Sequence, residues 1–209
     1  TDSIIRGAAT TMVNPKGLDV DTRRELIFVA DFGASKILVF KTSDSNDVAP
    51  TASIDLGARP WDIDYEPTED RLFIAMTDGR ILIYNDFVAN YITATTGTGT
   101  PDADITPTVG GAAINDNLHG IVYDKATDTL VVSGVGTVGM APTGLPGAIY
   151  VVRGAGGVVA GNLNGMVPVA FKIDSTSTAA LFDNPVDLTS DGTNLYVAEK
   201  VTGFVGRYD

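Results

Sequence analysis

A unit that recurs four times along the 209-residue chain constrains its fold more than any other feature of the sequence. Each unit opens with a strand of alternating apolar and polar residues, as in Leu18-Asp19-Val20, and continues through a polar turn into an almost wholly apolar strand. A third strand follows, and in three of the four units it ends in an aromatic residue. The units begin near residues Pro15, Pro60, Leu118 and Pro185. Such regular repetition indicates a repeat architecture, in which every unit forms the same structural layer.

The strand content of the repeat predicts the fold class. β-branched and aromatic residues dominate the strands, and no window shows the 3.6-residue apolar period of a helix. Each unit supplies three antiparallel strands, and β-prone segments at 51–57, 102–110 and 169–174 can each supply a fourth. Because the second strand is apolar at nearly every position, we expect stacked neighbours on both of its faces. The sequence therefore predicts an all-β fold, a β-propeller of four-stranded antiparallel blades in a single domain at 1–209.

The closure of the ring is the main question that the repeat leaves open. Four blades either form a small closed ring or belong to a larger propeller, and a β-sandwich, which does not repeat a motif in register, is the alternative fold. The last unit has no outer strand, whereas a β-prone segment at 3–11 precedes the first unit. In a closed ring we expect this segment to pair antiparallel with 204–208, because native proteins cover exposed sheet edges. In a larger ring it would pair with further sequence or with another chain, so oligomerisation is possible.

Charge and composition exclude several classes of partner. The net charge of −12 and the isoelectric point near 4.3 argue against nucleic acid, since an acidic chain gains nothing from counterion release. No apolar run approaches the roughly 20 residues of a membrane-spanning helix, so no membrane span is predicted. The absence of Cys excludes a disulfide framework and a thiolate metal site. Few Lys and Arg residues, with abundant Thr, Gly and Asn, favour an extracellular or periplasmic location.

The repeat also resembles a known superfamily. The stretch PWDIDYEPTEDRLFIAM at 60–76 and its three relatives are similar to the repeats of NHL-type and lactonase-like β-propellers. The resemblance implies the propeller fold over nearly the whole chain, but such propellers include hydrolases, lyases and pure binding modules. Lactonase-like metal enzymes carry a Glu/Asn/Asp set in the channel. Here Glu199, Asp62 and Asp187 could stand in such a set, although no Asn falls at the aligned inner positions.

The propeller alignment brings a small set of polar and aromatic residues to one mouth of the central channel. The loop before the inner strand and the loop between the second and third strands emerge on that face. His119 is the only candidate imidazole base, and Trp61 offers a stacking surface for a sugar or an aromatic ligand. A hydrogen-bonded loop His and a Trp packed between blades are the alternatives. The predicted ligand-binding residues are Lys16, Trp61, Asp62, His119 and Asp187.

Acidic residues at the same mouth predict a possible Ca²⁺ site. Hard cations prefer several carboxylate and carbonyl oxygens, and the ends of the second strands add further acids to those of the inner strands. The predicted metal ligands are Asp31, Asp62, Asp187 and Glu199. The alternative is that Asp31 and Asp62 accept hydrogen bonds from backbone amides at the strand ends.

A clear repeat without a clear catalytic set favours a binding function. The sequence contains no Gly-x-Ser-x-Gly elbow, no His-Glu-x-x-His motif and no Cys pair. Long Gly- and Thr-rich loops at 93–104 and 134–147 are segments where such scaffolds carry recognition. We therefore expect a non-enzymatic, secreted or surface-associated binding or structural module whose partner is a protein, a small molecule or a carbohydrate. A calcium-dependent, lactonase-like hydrolase that uses the acids at the channel mouth is the alternative.

Overall fold

The computed structural model of the chain describes residues 3–93, 99–114, 116–136, 147–155, 165–174 and 182–209. Blade 1 consists of β1 (Pro15–Asp21), β2 (Leu26–Asp31), β3 (Lys36–Lys41) and β4 (Ala52–Asp55). Blade 2 consists of β5 (Pro60–Glu66), β6 (Arg71–Met76), β7 (Ile81–Tyr84) and β8 (Ala103–Val109), with the short β9 (Ala112–Ala113) paired to β8. Blade 3 consists of β10 (Leu118–Asp124), β11 (Thr129–Gly134) and β12 (Ala148–Arg153), joined after β13 (Gly165–Pro168) by β14 (Phe171–Asp174). Blade 4 contains β15 (Pro185–Ser190), β16 (Leu195–Glu199) and β17 (Phe204–Tyr208).

The sheets confirm the predicted β-propeller blades. Every blade is an antiparallel meander that starts at its inner strand, and the outer strands of blades 1 to 3 come from the predicted linking segments. One strand was not anticipated: β13 leaves blade 3 and pairs in parallel with β8 of blade 2. Helical structure is limited in the described ranges to a 3₁₀ turn at Ala8–Thr10 and a π-helical segment at Val88–Thr93, neither long and apolar enough to cross a membrane.

Alternation within the second strand explains why blades stack on both of its faces. Along β6 every side chain is buried, but neighbouring residues point to different cores. Leu72 packs with Phe28 in the seam between blades 1 and 2, whereas Phe73 packs with Leu130 in the seam between blades 2 and 3. A continuous apolar strand is therefore the signature of a blade with neighbours on both sides, as the sequence predicted.

The segment before the first blade does not close a four-blade ring. The expected pairing of residues 3–11 with 204–208 is wrong, because Arg6 N donates to Asn46 O (3.0 Å) and Asn46 N donates to Ile4 O (2.6 Å). Ile5 also packs against the apolar side of blade 1 that faces away from blade 2. Burial of that apolar surface explains why the segment binds there, and among the described residues β17 pairs with β16 alone.

Candidate functional site: the mouth of the central channel

A bulge at the start of every inner strand positions the mouth residues. In each blade the register between the inner and the second strand slips by one residue, for example between Pro60 and Asp62, where Trp61 has no direct partner. A bulge bends the strand and re-aims the side chain of the extra residue. The residues in this position are Lys16, Trp61, His119 and Val186, and the first three of them are predicted ligand-binding residues.

In all four blades the same backbone hydrogen bond joins the end of the second strand to the start of the inner strand. The first residue after the second strand donates its N–H to the carbonyl of the residue before the inner strand, at 3.0–3.1 Å. The four pairs are Phe32 with Asn14, Thr77 with Arg59, Val135 with Asn117, and Lys200 with Asn184. These four bonds show that the residues flanking the mouth occupy equivalent places around the channel.

The inner strands β1, β5, β10 and β15 follow one another around a central groove of about 670 Å³. Glycine permits their close approach at the second position of two of them. A Cβ on Gly17 would collide with the carboxylate of Asp62, and a Cβ on Gly120 would lie 2.6 Å from Leu188 N. The alternation of Gly and Asp around the channel therefore reflects packing between the inner strands, and it leaves acids in the groove wall: Asp19, Asp62, Asp64 and Asp187.

Three of the predicted ligand-binding residues, each from a different blade, form one column at the mouth. The rings of Trp61 and His119 stack with centroids 3.5 Å apart and an interplanar angle of 6°. Lys16 of the preceding blade places Nζ 4.8 Å from the centroid of Trp61, a favourable cation–π geometry. The ring of Trp61 therefore contacts His119 and Lys16 of the protein itself. This agrees with the alternative in which Trp61 packs between blades.

Phe32 and Arg59 extend the column toward blade 1. The rings of Phe32 and Trp61 meet edge to face at 5.8 Å, and the guanidinium of Arg59 lies 4.8 Å from the centroid of Phe32. Within the described part of the chain, Lys16, Arg59 and Lys200 form no ion pair with a carboxylate. The rim of the mouth is thus locally cationic in a chain whose net charge is −12.

His119 is buried and neutral at physiological pH. Its burial, together with the positive charges of Lys200 and Lys16, lowers its pKa to about 4. Only 6% of the residue is exposed, and neither Nδ1 nor Nε2 has a hydrogen-bond partner among the described residues. At neutral pH an imidazole with this pKa is mostly unprotonated. The neutral ring offers one donor and one acceptor.

The groove acids are coupled to the backbone of the next blade. Asp62 Oδ2 accepts a hydrogen bond from Ile121 N (3.2 Å), and Asp64 Oδ2 accepts one from Tyr123 N (2.5 Å). Burial raises the pKa of Asp62 to about 7, with a further contribution from the negative charge of Asp187, and it raises the pKa of Asp64 to about 6. These side chains join inner strands that have no backbone ladder between them.

Two of the four predicted metal ligands cap backbone amides. Asp31 is fully buried and accepts hydrogen bonds from Val13 N (2.7 Å), Asn14 N (2.9 Å) and Ala34 N (3.0 Å). Glu199, at the equivalent position of blade 4, accepts from the amides of Asn184 (2.6 Å), Val201 (3.3 Å) and Thr202 (2.5 Å).

Blade 3 has Gly134 at this position and supplies the carboxylate from elsewhere. Asp116 takes the space that a Gly134 side chain would fill, and accepts from Gly136 N (2.8 Å) and Tyr150 Oη (2.9 Å). The same cap is therefore rebuilt by a residue that the alignment did not select.

The predicted calcium ligands do not form one cluster. Asp62 and Asp187 line the groove, whereas Asp31 and Glu199 bind the amides at the ends of β2 and β16. Within the described residues, no group of three or more His, Cys, Asp and Glu side chains is arranged to hold a metal ion. Calcium binding therefore stays a prediction, with Asp62 and Asp187 as its remaining groove ligands.

Sequence reasoning missed two Asn residues at the mouth. Asn184 is 3% exposed, and the Oδ1 atoms of Asn117 and Asn184 are buried without a hydrogen-bond partner among the described residues. A signal was present, because Asn immediately precedes the inner strand in three of the four units, at 14, 117 and 184. The alignment started one residue too late to include them.

Comparison with known proteins supports the fold. No family model and no curated protein matches the chain. Among solved structures, it is similar to a chain of a nidogen/laminin complex, with 16% identity over 95% of this chain and a TM-score of 0.57. It is also similar to the C-terminal WD40 domain of Sif2 (10% identity over 92% of this chain, TM-score 0.56) and to the computationally designed Ika8 protein (11% over 93%, TM-score 0.52).

These similarities define a class of fold and no more. At 10–16% identity they show a β-propeller architecture, and the chain spans 60%, 45% and 45% of the nidogen/laminin, Sif2 and Ika8 chains, respectively. The described residues thus form four consecutive propeller blades, the last with three described strands, around a shared groove.

Proposed function

We propose that this chain is a non-enzymatic β-propeller binding module of a secreted or surface-associated protein, and that it binds a protein, a small molecule or a carbohydrate at the channel mouth. The observation that supports this function is the column of Lys16, Trp61 and His119, which three separate blades contribute to one place. Convergence of polar and aromatic groups from several repeats on one groove is typical of ligand sites in repeat folds.

The electrostatics of the mouth favour binding over catalysis. A base with a pKa of about 4 is weak at neutral pH, and Asp31 and Glu199 engage backbone amides with their carboxylates. The similarity to a chain of a nidogen/laminin complex supports a protein as one kind of ligand. Residues 94–98 of the predicted recognition loop 93–104 and most of the loop 134–147 lie outside the described residues, so the proposal depends on the mouth alone.

Trp61 is the only Trp of the chain and reports directly on this mouth. Titration of the intact chain with candidate proteins and oligosaccharides should change Trp61 fluorescence, and Lys16→Ala should weaken the binding. The matched control is Lys125→Ala in the turn that follows β10, where the ammonium pairs with Glu66 and Glu69. A ligand that binds without any change in Trp61 emission, and that tolerates Lys16→Ala, would place the site elsewhere.

The finer NHL-type or lactonase-like assignment is tested with calcium. Calorimetric titration of Ca²⁺ into the chain would give stoichiometric heat if the channel acids hold the ion. Loss of that heat in both Asp62→Ala and Asp187→Ala, the two acids that line the groove, would favour the metal-dependent hydrolase. An absence of heat would favour the binding module.

A further inference from the structure

Three exposed cationic side chains lie around the stack of Trp61 and His119 at the rim of the mouth, and we call them the rim cations. Lys16 belongs to the inner strand of blade 1, Arg59 directly precedes the inner strand of blade 2, and Lys200 directly follows the second strand of blade 4. Lys16 also lines the central groove. The charges of Lys16 and Lys200 both act on the imidazole of His119, so the two ammonium groups lie on the same side of the molecule. A ligand can therefore reach the rim cations from solvent.

Aromatic contacts place two of the rim cations beside each other. The Nζ atom of Lys16 lies 4.8 Å from the ring centroid of Trp61 and 6.0 Å from that of Phe32. The guanidinium carbon of Arg59 lies 4.8 Å from the same Phe32 centroid. The rings of Phe32 and Trp61 are themselves in contact, with centroids 5.8 Å apart. Both rings are half-buried, so part of their apolar surface stays accessible next to the cations.

Among the described residues, no carboxylate forms an ion pair with any of the three rim cations. The acids on the same face have other partners. Asp31 and Glu199 accept hydrogen bonds from backbone amides, and Asp78 forms an ion pair with Arg80 at 2.8 Å. The rim therefore keeps a positive charge that is available to a partner.

The charges of the rim and of the groove together determine where an anionic ligand can lie. The net charge of the chain is −12, but at physiological ionic strength exposed charges are screened beyond about 8 Å, so the nearest groups decide the contact. The rim cations attract carboxylates at that distance. Asp62 and Asp187 in the groove wall repel an anion from the interior. An anionic ligand is therefore expected to lie across the rim and not to enter the groove.

The distribution of the rim cations over separate blades favours an extended ligand. A compact anion such as phosphate needs donors that converge on one point, whereas blade 1, the link to blade 2, and blade 4 each supply one rim cation. In an extended peptide, alternate side chains point to the same side about 7 Å apart. Acidic side chains spaced in this way can pair with separate cations, while their methylene groups contact Phe32 and Trp61.

We propose that the rim of Lys16, Arg59 and Lys200 docks an extended acidic segment, rich in Asp or Glu, of a partner protein. The inference rests on the proposed function, because it names the kind of partner for the same mouth. The carboxylates of the segment pair with the rim cations, and the planar guanidinium of Arg59 binds a carboxylate through two parallel hydrogen bonds. The accessible parts of Phe32 and Trp61 contact the aliphatic carbons between these carboxylates.

The test uses a fluorescently labelled decapeptide in which Glu alternates with Ser, and a matched decapeptide with Gln in place of Glu. Anisotropy titration with the intact chain at low ionic strength should show binding of the Glu peptide and about tenfold weaker binding of the Gln peptide. Lys16→Gln and Arg59→Gln should each weaken the Glu peptide about two- to fivefold, as expected for exposed ion pairs, and the double variant about tenfold. Added salt should remove these differences.

Lys41→Gln provides the matched control. Lys41 is exposed at the end of β3 that points away from the mouth, because β3 begins beside Asp31. The variant removes the same charge from the chain and should leave the peptide affinity unchanged. Since all the substituted side chains are exposed, the thermal midpoints should stay close to that of the wild type.

Equal binding of the Glu and Gln peptides, or equal affinity of the wild type and the double variant, would overturn the inference. Binding of oligogalacturonate, an acidic carbohydrate, without binding of the Glu peptide would overturn it as well. If an uncharged ligand changes the emission of Trp61 while the Glu peptide does not bind, the inference is overturned and the proposed function stands. No response to any of these ligands would count against both.

Discussion

The seam between blades 1 and 2 and the seam between blades 3 and 4 use the same strand positions for different purposes. The first is filled by an aromatic cluster in which Phe28 contacts Tyr65 (4.6 Å) and Phe87 (5.5 Å). Among the described residues, the core of the second contains four buried residues: Ile149, Phe182, Leu188 and Val197. The first seam is filled by buried apolar and aromatic side chains. The second has a smaller described core, and the unpaired polar atoms of Asn117, His119 and Asn184 lie at its mouth.

The outer strands show the same contrast. Ile54 of β4 and Ile105 of β8 are 1% and 0% exposed, because the following blade covers them. Phe171 of β14, by contrast, is 45% exposed. Among the described residues, apolar burial is therefore smaller in the seam of blades 3 and 4 than in the seam of blades 1 and 2, and we expect the former to contribute less to stability.

The largest expected effect is on the aromatic seam. Phe28→Ala should lower the free energy of unfolding by about 3–5 kcal/mol, as large-to-small changes in packed cores do. Val197→Ala in the seam of blades 3 and 4 removes fewer buried carbon atoms than the loss of a phenyl ring and should cost clearly less. Denaturant unfolding of both variants checks the difference. Equal costs would remove the contrast between the two seams.

A smaller effect is expected at the amide caps. Asp31→Ala leaves three backbone N–H groups in a buried place without their acceptor, so we expect a loss of at least about 1–3 kcal/mol. Glu199→Ala in blade 4 should lower the stability by a similar amount. In both variants the loss of stability should be independent of added Ca²⁺. Thermal unfolding with and without calcium measures it. A loss of stability seen only in the presence of calcium would show that Asp31 and Glu199 act as metal ligands and not as backbone caps.

The smallest expected effect is a pH dependence in which two contributions oppose each other. Asp62 has a folded pKa of about 7, above its ordinary value of 3.8, so its contribution to stability is present at low pH and is lost as the pH rises through 7. His119 has a folded pKa of about 4, below its ordinary 6.5, so stability is lost as the pH falls toward 4. Asp64, with a pKa of about 6, adds to the effect of Asp62.

Variants separate these contributions. Between about pH 4 and pH 7, Asp62→Asn should make the fall of stability with rising pH shallower, and His119→Phe should make it steeper. Thermal midpoints across this range provide the measurement. Parallel pH profiles for the wild type and both variants would contradict the burial of these groups at the mouth.

The inner and second strands could be predicted from the sequence because their pattern is local and repeated. The predicted unit starts at 15, 60, 118 and 185 coincide with the first residues of β1, β5, β10 and β15. The alignment also placed Lys16, Trp61 and His119 at one mouth, because equivalent positions of stacked blades converge on the axis.

Other features depend on contacts that no local pattern encodes. Ile5 and the bond between Arg6 and Asn46 attach the first segment to blade 1, although its β-prone sequence is equally suited to a strand. The parallel pairing of β13 with β8 crosses from one blade to another. The unpaired oxygens of Asn117 and Asn184 could not be foreseen, because whether a polar atom finds a partner is decided by tertiary packing.

Because the chain has one His and one Trp, the geometry of the mouth can be measured without ambiguity. The imidazole resonances of His119 followed by NMR against pH give its pKa, and the fluorescence of Trp61 can be followed over the same range. A buried His119 stacked on Trp61 beside Lys16 and Lys200 should titrate at a pKa of about 4, with the Trp61 emission changing at the same pH. A His119 pKa near the ordinary 6.5, with Trp61 emission unaffected by that titration, would show that the blades do not bring these residues together.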